Sequence, residues 1–297
     1  MYRVLLYYKY VKIEDPDSYA EGHLDFCNML GLRGRILISP EGINGTCSGT
    51  VDGTQKYIDA MRSDERFCDM EFKIDEVAGH VFKKMHVRVK KELVTFRLDN
   101  DLDPNEISGR HLDPKEWLEK IQEDDVIVLD GRTDYEYDLG HFRNAVRPPL
   151  NSFRLFPEWV RNEFIKNKDK KIMTYCTGGV RCEKLSGFLI QEGFKNVYQL
   201  DGGIIKYSKD SEVKGKMFDG KCYVFDERIS VPVNFAEEYT PIGKCHHCAK
   251  ATDRYVNCAN LDCHKQHFEC EECEEKWARS CSAECMNAPR HEILANA

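Results

Sequence analysis

The chain has 297 residues, 41% hydrophobic and 32% charged, with a formal net charge of −8. Such length and apolar content exclude a disordered chain and allow two compact domains plus an appendage, while the acidic balance excludes a general polyanion binder but not a local basic patch. No apolar run of about 18 residues occurs and Met1–Tyr10 lacks a basic n-region or a cleavage site, so a cytoplasmic protein without membrane contact is expected.

Residues 3–11 (RVLLYYKYV) are β-rich, Pro16 to Leu30 is helical in pattern, and RILIS at 35–39 with a short run near Thr46 flanks Pro40-Glu41-Gly42-Ile43-Asn44-Gly45. Gln55 to Arg62 is helical again and Glu71 to Val77 is a strand. This βαββαβ order predicts a ferredoxin-like (acylphosphatase-like) domain over residues 1–100. Between Val81 and Arg97, Lys83, Lys84, Arg88, Lys90, Lys91 and Arg97 face a single acid, Glu92, and are spaced by apolar residues. The alternation predicts a strand with one basic face, either an RNA-backbone contact or a solvated edge.

Acidic, proline-ended Asp99–Pro104 predicts a linker. Beyond it, Asp113 to Gln122 is helical with Asp113 as N-cap and Pro114 at N1. The runs VIVLD (126–130), KIMTYC (171–176) and NVYQL (196–200) alternate with helical stretches, which predicts an α/β domain with a parallel sheet over 105–215. From 216 to 297 strand-like runs persist to Val233, and a cysteine cluster then replaces periodicity.

The most informative stretch is Tyr175-Cys176-Thr177-Gly178-Gly179-Val180-Arg181-Cys182-Glu183-Lys184, between an apolar strand and a helix-like run (183–192). A loop at a strand's C-terminal end, closed by a helix N-terminus, aims backbone N–H groups at one point. With Arg181 nearby, these groups favour the Cys176 thiolate and make it a nucleophile. Cys182 is read either as a resolving thiol for an oxidised Cys176 or as a small packing residue. Asp130-Gly131-Arg132, Glu136, Gly140-His141-Phe142 and Ala145, the Cys176 loop, and Leu200-Asp201-Gly202-Gly203 together resemble the rhodanese signature. The four residues between Cys176 and Arg181 are one fewer than in cysteine phosphatases, which suits a sulfur or oxygen substituent. The resemblance implies that Asp130 and Arg132 support the site rather than react.

The tail carries Cys245-x₂-Cys248, Cys258-x₄-Cys263, Cys270-x₂-Cys273 and Cys281-x₃-Cys285. Eight thiolates in paired spacing predict two structural Cys₄ zinc sites, interleaved first-with-third and second-with-fourth as one option. His246, His247, His264 and His267 are substitute ligands. No G-x-G-x-x-G follows a strand and no two-His-one-carboxylate grouping is apparent, so no flavin, haem or nicotinamide site is expected.

Tyr8-Lys9-Tyr10, Glu41 to Gly45, His86-Val87-Arg88, Tyr135-Glu136-Tyr137, Tyr175 to Lys184, Gly202 to Ile205 and Val224-Phe225-Asp226-Glu227-Arg228 recur in order over almost the whole chain. The sequence thereby resembles the rhodanese-related tRNA uridine hydroxylase family. That resemblance implies oxygen-dependent formation of 5-hydroxyuridine at the tRNA wobble position, with Cys176 as the active-site cysteine and molecular oxygen as co-substrate. The chain ends soon after the cysteine-rich region without the basic extension of some relatives, so an RNA contact there is expected to be missing. Two chemical routes are open: thiolate addition to uracil C6, with Arg181 and the loop amides stabilising the oxyanion, or a persulfide on Cys176. The rival readings are a sulfurtransferase that forms a Cys176 persulfide and a non-catalytic zinc-containing RNA-binding scaffold.

Overall fold

In the computed structural model, residues 1–98, 102–263 and 265–292 are described; positions 99–101 of the expected linker and His264 lie outside them. The N-terminal unit contains β1 (Tyr2–Tyr10), α1 (Pro16–Met29), β2 (Arg33–Ser39), β3 (Gly42–Thr50), α2 (Val51–Ser63), β4 (Lys73–Val77) and β5 (Met85–Val89). They form one five-stranded sheet in the order β4-β1-β3-β2-β5. The first four strands have the expected ferredoxin-like arrangement, and β5 adds to the edge, parallel to β2.

Strand alternation decides what each face does. Leu5 and Tyr7 of β1, with Ile36 and Ile38 of β2, pack under the helices against Tyr57, Ile58 and Met61. Leu6, Tyr8 and Tyr10 therefore point the other way. Met85, Val87 and Val89 of β5 join the helix-covered core, which leaves His86 and Arg88 on the same sheet face as Tyr8.

Two expectations need correction here. Only Pro40 and Glu41 form the turn between β2 and β3, and Gly42 to Gly45 belong to a nine-residue strand. Its glycines suggest a loop by propensity, but β3 pairs with β1 on one side and β2 on the other, and that double ladder overrides weak intrinsic preference. The basic stretch is a strand only over 85–89. Beyond it Val94 and Phe96 leave the sheet and enter the core of the next unit, where Phe96 stacks on Phe153 at 4.8 Å.

The second unit contains β6 (Arg110–Leu112), α3 (Pro114–Lys120), β7 (Val126–Asp130), α4 (Asp134–Leu139), β8 (Gly140–Phe142), α5 (Phe156–Trp159), β9 (Lys171–Tyr175), α6 (Val180–Gln191), β10 (Asn196–Leu200) and α7 (Gly203–Lys209). β6, β10, β9 and β7 form a parallel sheet in that order. The three apolar runs are its inner strands and one edge; the three-residue β6 carries too short a pattern to be seen in sequence. Asp113 caps α3 with a full capping box, as its sequence predicts. Trp117, Phe142, Tyr175 and Tyr207 fill one face of the sheet, and Ile172, Leu185 and Phe188 the other.

β11 (Phe218–Tyr223) pairs with β8 on one side and with β12 (Ser230–Pro232) on the other, stitching the last region to the second unit. The cysteine-rich end has only the short β13 (Tyr255–Asn257), β14 (Gln266–Phe268), α8 (Glu271–Trp277) and α9 (Ala283–Met286). Among the described residues no helix is long and apolar enough to cross a membrane.

The first two units dock through a buried ion pair. Lys184 on α6, with a fully buried side chain, lies 2.7 Å from Glu41 in the β2–β3 turn. Glu41→Gln removes the charge that compensates a buried ammonium, so it should cost about 3–5 kcal/mol. Urea unfolding of the metal-loaded protein checks this, and an unchanged midpoint would show that the pair does not hold the units together.

Candidate active site

Cys176 follows the last residue of β9, and α6 begins four residues later. Its side chain is buried, with 1% of the residue exposed. Gly179 N–H donates to Sγ at 3.2 Å. Burial alone would push this thiol up. Hydrogen bonding from Cys182, the Arg181 charge and the backbone N–H groups of Cys182 and Arg181 outweigh it and bring Cys176 down to about 5. The Cys182 thiol moves in the opposite direction, raised by burial and by its bond to Cys176. Cys182 is itself fully buried.

Two glycines make the loop possible. Gly179 has φ +105°, and a Cβ there would stand 2.8 Å from the Tyr8 hydroxyl. Gly203, at φ +67°, sits against the loop itself: its Cβ would lie 2.6 Å from the Cys176 carbonyl oxygen and 2.8 Å from Gly179 N. The following amides, Ile204 N–H and Ile205 N–H, donate to the carbonyls of Cys176 and Thr177 at 3.0 and 3.1 Å. The loop carbonyls are thereby turned toward α7, which leaves N–H groups toward the sulfur.

Arg181 is fixed by a residue to which the sequence assigns no role beyond the signature. Glu136 on α4, with 0% exposure, accepts two hydrogen bonds from Arg181 at 2.8 and 2.9 Å. Burial would raise its carboxyl, but the Arg181 charge and hydrogen bonds hold it at about 2. Arg181 also donates to Thr177 Oγ1 at 3.2 Å. Asp130 and Arg132 form a separate, fully buried pair: Arg132 donates to both Asp130 oxygens at 2.9 and 2.7 Å and to the Gly140 carbonyl at 2.6 Å, while Tyr175 donates to Asp130 at 2.6 Å. That pair ties β7, β8 and β9 together.

The N-terminal sheet covers the loop. Tyr10 donates to the Val180 carbonyl at 3.2 Å, Tyr8 donates to Glu183 at 2.8 Å, and a Cβ on Gly178 would stand 3.0 Å from Leu6. Glu183 also accepts from Ser108 and Gln199 at 3.0 Å and lies 3.2 Å from His111. Beside this network is a cleft of about 400 Å³ that reaches Lys73 and Asp201. Lys73 is 6% exposed, and burial lowers its ammonium. Next to Thr177 the cavity is only about 30 Å³, room for a water-sized group. Tyr8 and Glu183 belong to motifs that carry the resemblance but receive no role from it, and neither Lys73 nor His111 stands out in sequence.

Residues 2–93 match the UPF0176 acylphosphatase like domain, 113–210 the Rhodanese-like domain and 219–286 the Rhodanase C-terminal family. Proteins named tRNA uridine(34) hydroxylase match nearly end to end. Those of Bacillus licheniformis and Bacillus velezensis are 59% and 58% identical, across 98% of this chain and 90% of theirs. That of Bacillus cereus is 54% identical over 99% of this chain and 92% of its own. The chain belongs to the tRNA uridine(34) hydroxylase family.

In this family member the cysteine-rich end forms two clusters, Cys245, Cys248, Cys270 and Cys273, and Cys258, Cys263, Cys281 and Cys285. The pairing is first-with-third and second-with-fourth. Sulfur separations of 3.7 Å for Cys248–Cys270 and 3.6 Å for Cys263–Cys281 match the edge of a tetrahedron with metal–sulfur bonds of about 2.3 Å. The donor sets fit metal ions. His246, His247 and His267 replace no thiolate: His247 and His267 instead converge on Glu269, a two-His-one-carboxylate grouping that the sequence does not reveal because the histidines lie 20 positions apart. The basic residues flank or lie on β5. Arg35, Lys83, Lys84 and His86 form one wall of a groove of about 680 Å³ whose other wall holds Tyr223 and Phe225. Phe225 is 46% exposed, and the Arg181 guanidinium lies 5.9 Å from its ring. Lys91 lines a different cleft.

Thiolate absorbance, taken as wild type minus Cys176→Ser, should appear as pH rises through about 5. Because this value lies below the ordinary thiol's, about 8.5, the stability contributed by the ionised sulfur is present above the ordinary value and lost as pH falls through about 5. Arg181→Lys keeps the charge but loses the two-pronged contact with Glu136 and should move the midpoint upward; an unmoved midpoint would remove Arg181 from the account. Chelation should unfold residues of the two cysteine clusters while the parallel sheet persists, seen as loss of amide-exchange protection confined to the C-terminal end.

Proposed function

We propose that this chain hydroxylates uridine 34 of tRNA, forming 5-hydroxyuridine with molecular oxygen as co-substrate and Cys176 as the reacting group. The observation that carries the reading is a single buried sulfur with a lowered thiol, held by Gly179 N–H and a Glu136-locked Arg181, in a chain 54–59% identical to proteins named for that reaction. Lys83, Lys84, Arg88, Lys90 and Lys91 hold the tRNA backbone, and Phe225 offers a ring on which a splayed base stacks beside Arg181. The two Cys₄ clusters hold structural zinc, which would fix the fold of the C-terminal end and leave no coordination position for substrate.

One oxygen atom enters C5 and the other leaves as water, a balance that requires two electrons and two protons from an external reductant. The small cavity beside Thr177 is lined by Val4 and Leu6 of β1 but not by Cys176, and the sulfur's residue is only 1% exposed, so direct attack of Cys176 on C6 requires the cover over the loop to move. The second reading is a sulfurtransferase in which Cys176 carries sulfane sulfur, a group that asks for less room at so buried a residue.

Cells carrying Cys176→Ala should lose 5-hydroxyuridine-derived nucleosides from tRNA, and their persistence would remove both the hydroxylase reading and the role of this sulfur. Mass spectrometry after incubation with 5-fluorouridine RNA separates the routes: an RNA adduct on Cys176 supports direct attack, and a sulfur or oxygen increment alone supports the carried-group route. Replacing Lys83, Lys84 and Arg88 together with alanine should weaken tRNA binding and reduce the slope of log affinity against log salt by about 2–3.

A further inference from the structure

The cysteine-rich end contains a buried cluster that the proposed reaction does not use. His247 lies in the knuckle between Cys245 and Cys248, His267 is on β14, and Glu269 immediately precedes Cys270. One ligand atom from each of the three lies within 4.8 Å of the others. His267 is 4% exposed and Glu269 is 0% exposed. Both ring nitrogens of His267 and both carboxylate oxygens of Glu269 are buried without a hydrogen-bond partner among the described residues. Buried polar groups are nearly always satisfied, and a buried carboxylate with neither oxygen bonded is the strongest exception.

The spacing separates a metal site from an ordinary ion pair. His247 Nε2 is 3.4 Å from Glu269 Oε1 and His267 Nε2 is 3.6 Å from Oε2. Both exceed the length of a charge-assisted hydrogen bond, about 2.7–2.9 Å. The first falls within, and the second just beyond, the separation of about 3.3–3.5 Å expected for two ligands that share an ion through bonds of about 2.0–2.1 Å at tetrahedral angles. Two nearby cations, Arg254 and Arg279, pair through their terminal nitrogens with Glu274 and Glu292; the buried Nε of each has no hydrogen-bond partner among the described residues, and neither donates to Glu269. Trp277 stacks on the His247 ring at 4.3 Å and fixes its plane. Among the described residues, the Ser280 carbonyl oxygen, 2.9 Å from His247 Nε2, is a contact that has to yield when an ion binds at that nitrogen.

We propose that His247, His267 and Glu269 form a third metal site, distinct from the two thiolate clusters, that binds a divalent first-row transition ion through two imidazole nitrogens and a carboxylate oxygen. Two imidazoles with one carboxylate suit zinc, iron(II), cobalt(II) or manganese(II) rather than calcium or magnesium. His247 and Glu269 are neighbours in sequence of first-cluster cysteines and His267 is on β14, so the ion would join β14 to the first knuckle.

Full-length protein, stripped of metal under reducing conditions and titrated with cobalt(II), tests the site. Three equivalents should bind per chain, two with thiolate-to-cobalt charge-transfer absorption and one without it. Glu269→Gln should keep the two thiolate-bound equivalents and lose the third. Wild-type binding that stops at two equivalents, or a Glu269→Gln protein that still binds three, overturns the proposal. If the variant does not fold, the wild-type stoichiometry decides alone.

Discussion

The structure around the second sheet is organised by one requirement, that an anionic sulfur be kept where water barely reaches it. A buried charge without compensation is costly, and Cys176 is compensated from several directions. The amide of Gly179 and the first turn of α6 face it, and Arg181 supplies the opposite charge. Arg181 is itself mostly buried and balanced by Glu136. The sulfur, guanidinium and carboxylate thus form an alternating line of charges, each stabilised by the next. The first turn of α7 serves the same end from behind, because Ile204 and Ile205 N–H groups hold the Cys176 and Thr177 carbonyls.

The N-terminal unit completes this arrangement through the face of its sheet that has no helices. Strand alternation puts Leu6, Tyr8 and Tyr10 over the loop, and it puts His86 and Arg88 of β5 on that same face. β5 lies three strands from β1, about 14 Å at the usual strand spacing. A basic edge and a cover for Cys176 are therefore two ends of one surface. The groove beside that edge leads by way of Phe225 to Arg181, so a polyanion held on the edge would lie near the sulfur.

The cysteine-rich end follows a different logic. Its strands have three residues each and its small apolar groups are built largely from the thiols themselves. The two four-cysteine clusters could each hold a metal ion, and cross-linking of that kind would substitute for a core that so short a segment cannot build. Interleaving matters, because each cluster takes one pair before β14 and one pair after it, so that bound ions would keep the two halves from separating.

What the sequence determined by itself was whatever depends on neighbours in the chain. The apolar runs at 126–130, 171–176 and 196–200, the Asp113-Pro114 helix start and the paired cysteines are all visible within a few residues. So is the loop that holds Cys176, since strand, cysteine, glycines, arginine and helix occur in one stretch from 171 to 191. The tertiary structure alone decided the partners. Glu136 meets Arg181 across 45 positions, Tyr8 meets Glu183 across 175, and Lys184 meets Glu41 across two units. No periodicity encodes such pairs. Glycine-rich β3 became a strand because two neighbouring strands claimed it, and His247, His267 and Glu269 became one site only when the knuckles folded. Local geometry is written in adjacent residues; compensation of buried charge depends on packing, which brings together residues with no common spacing.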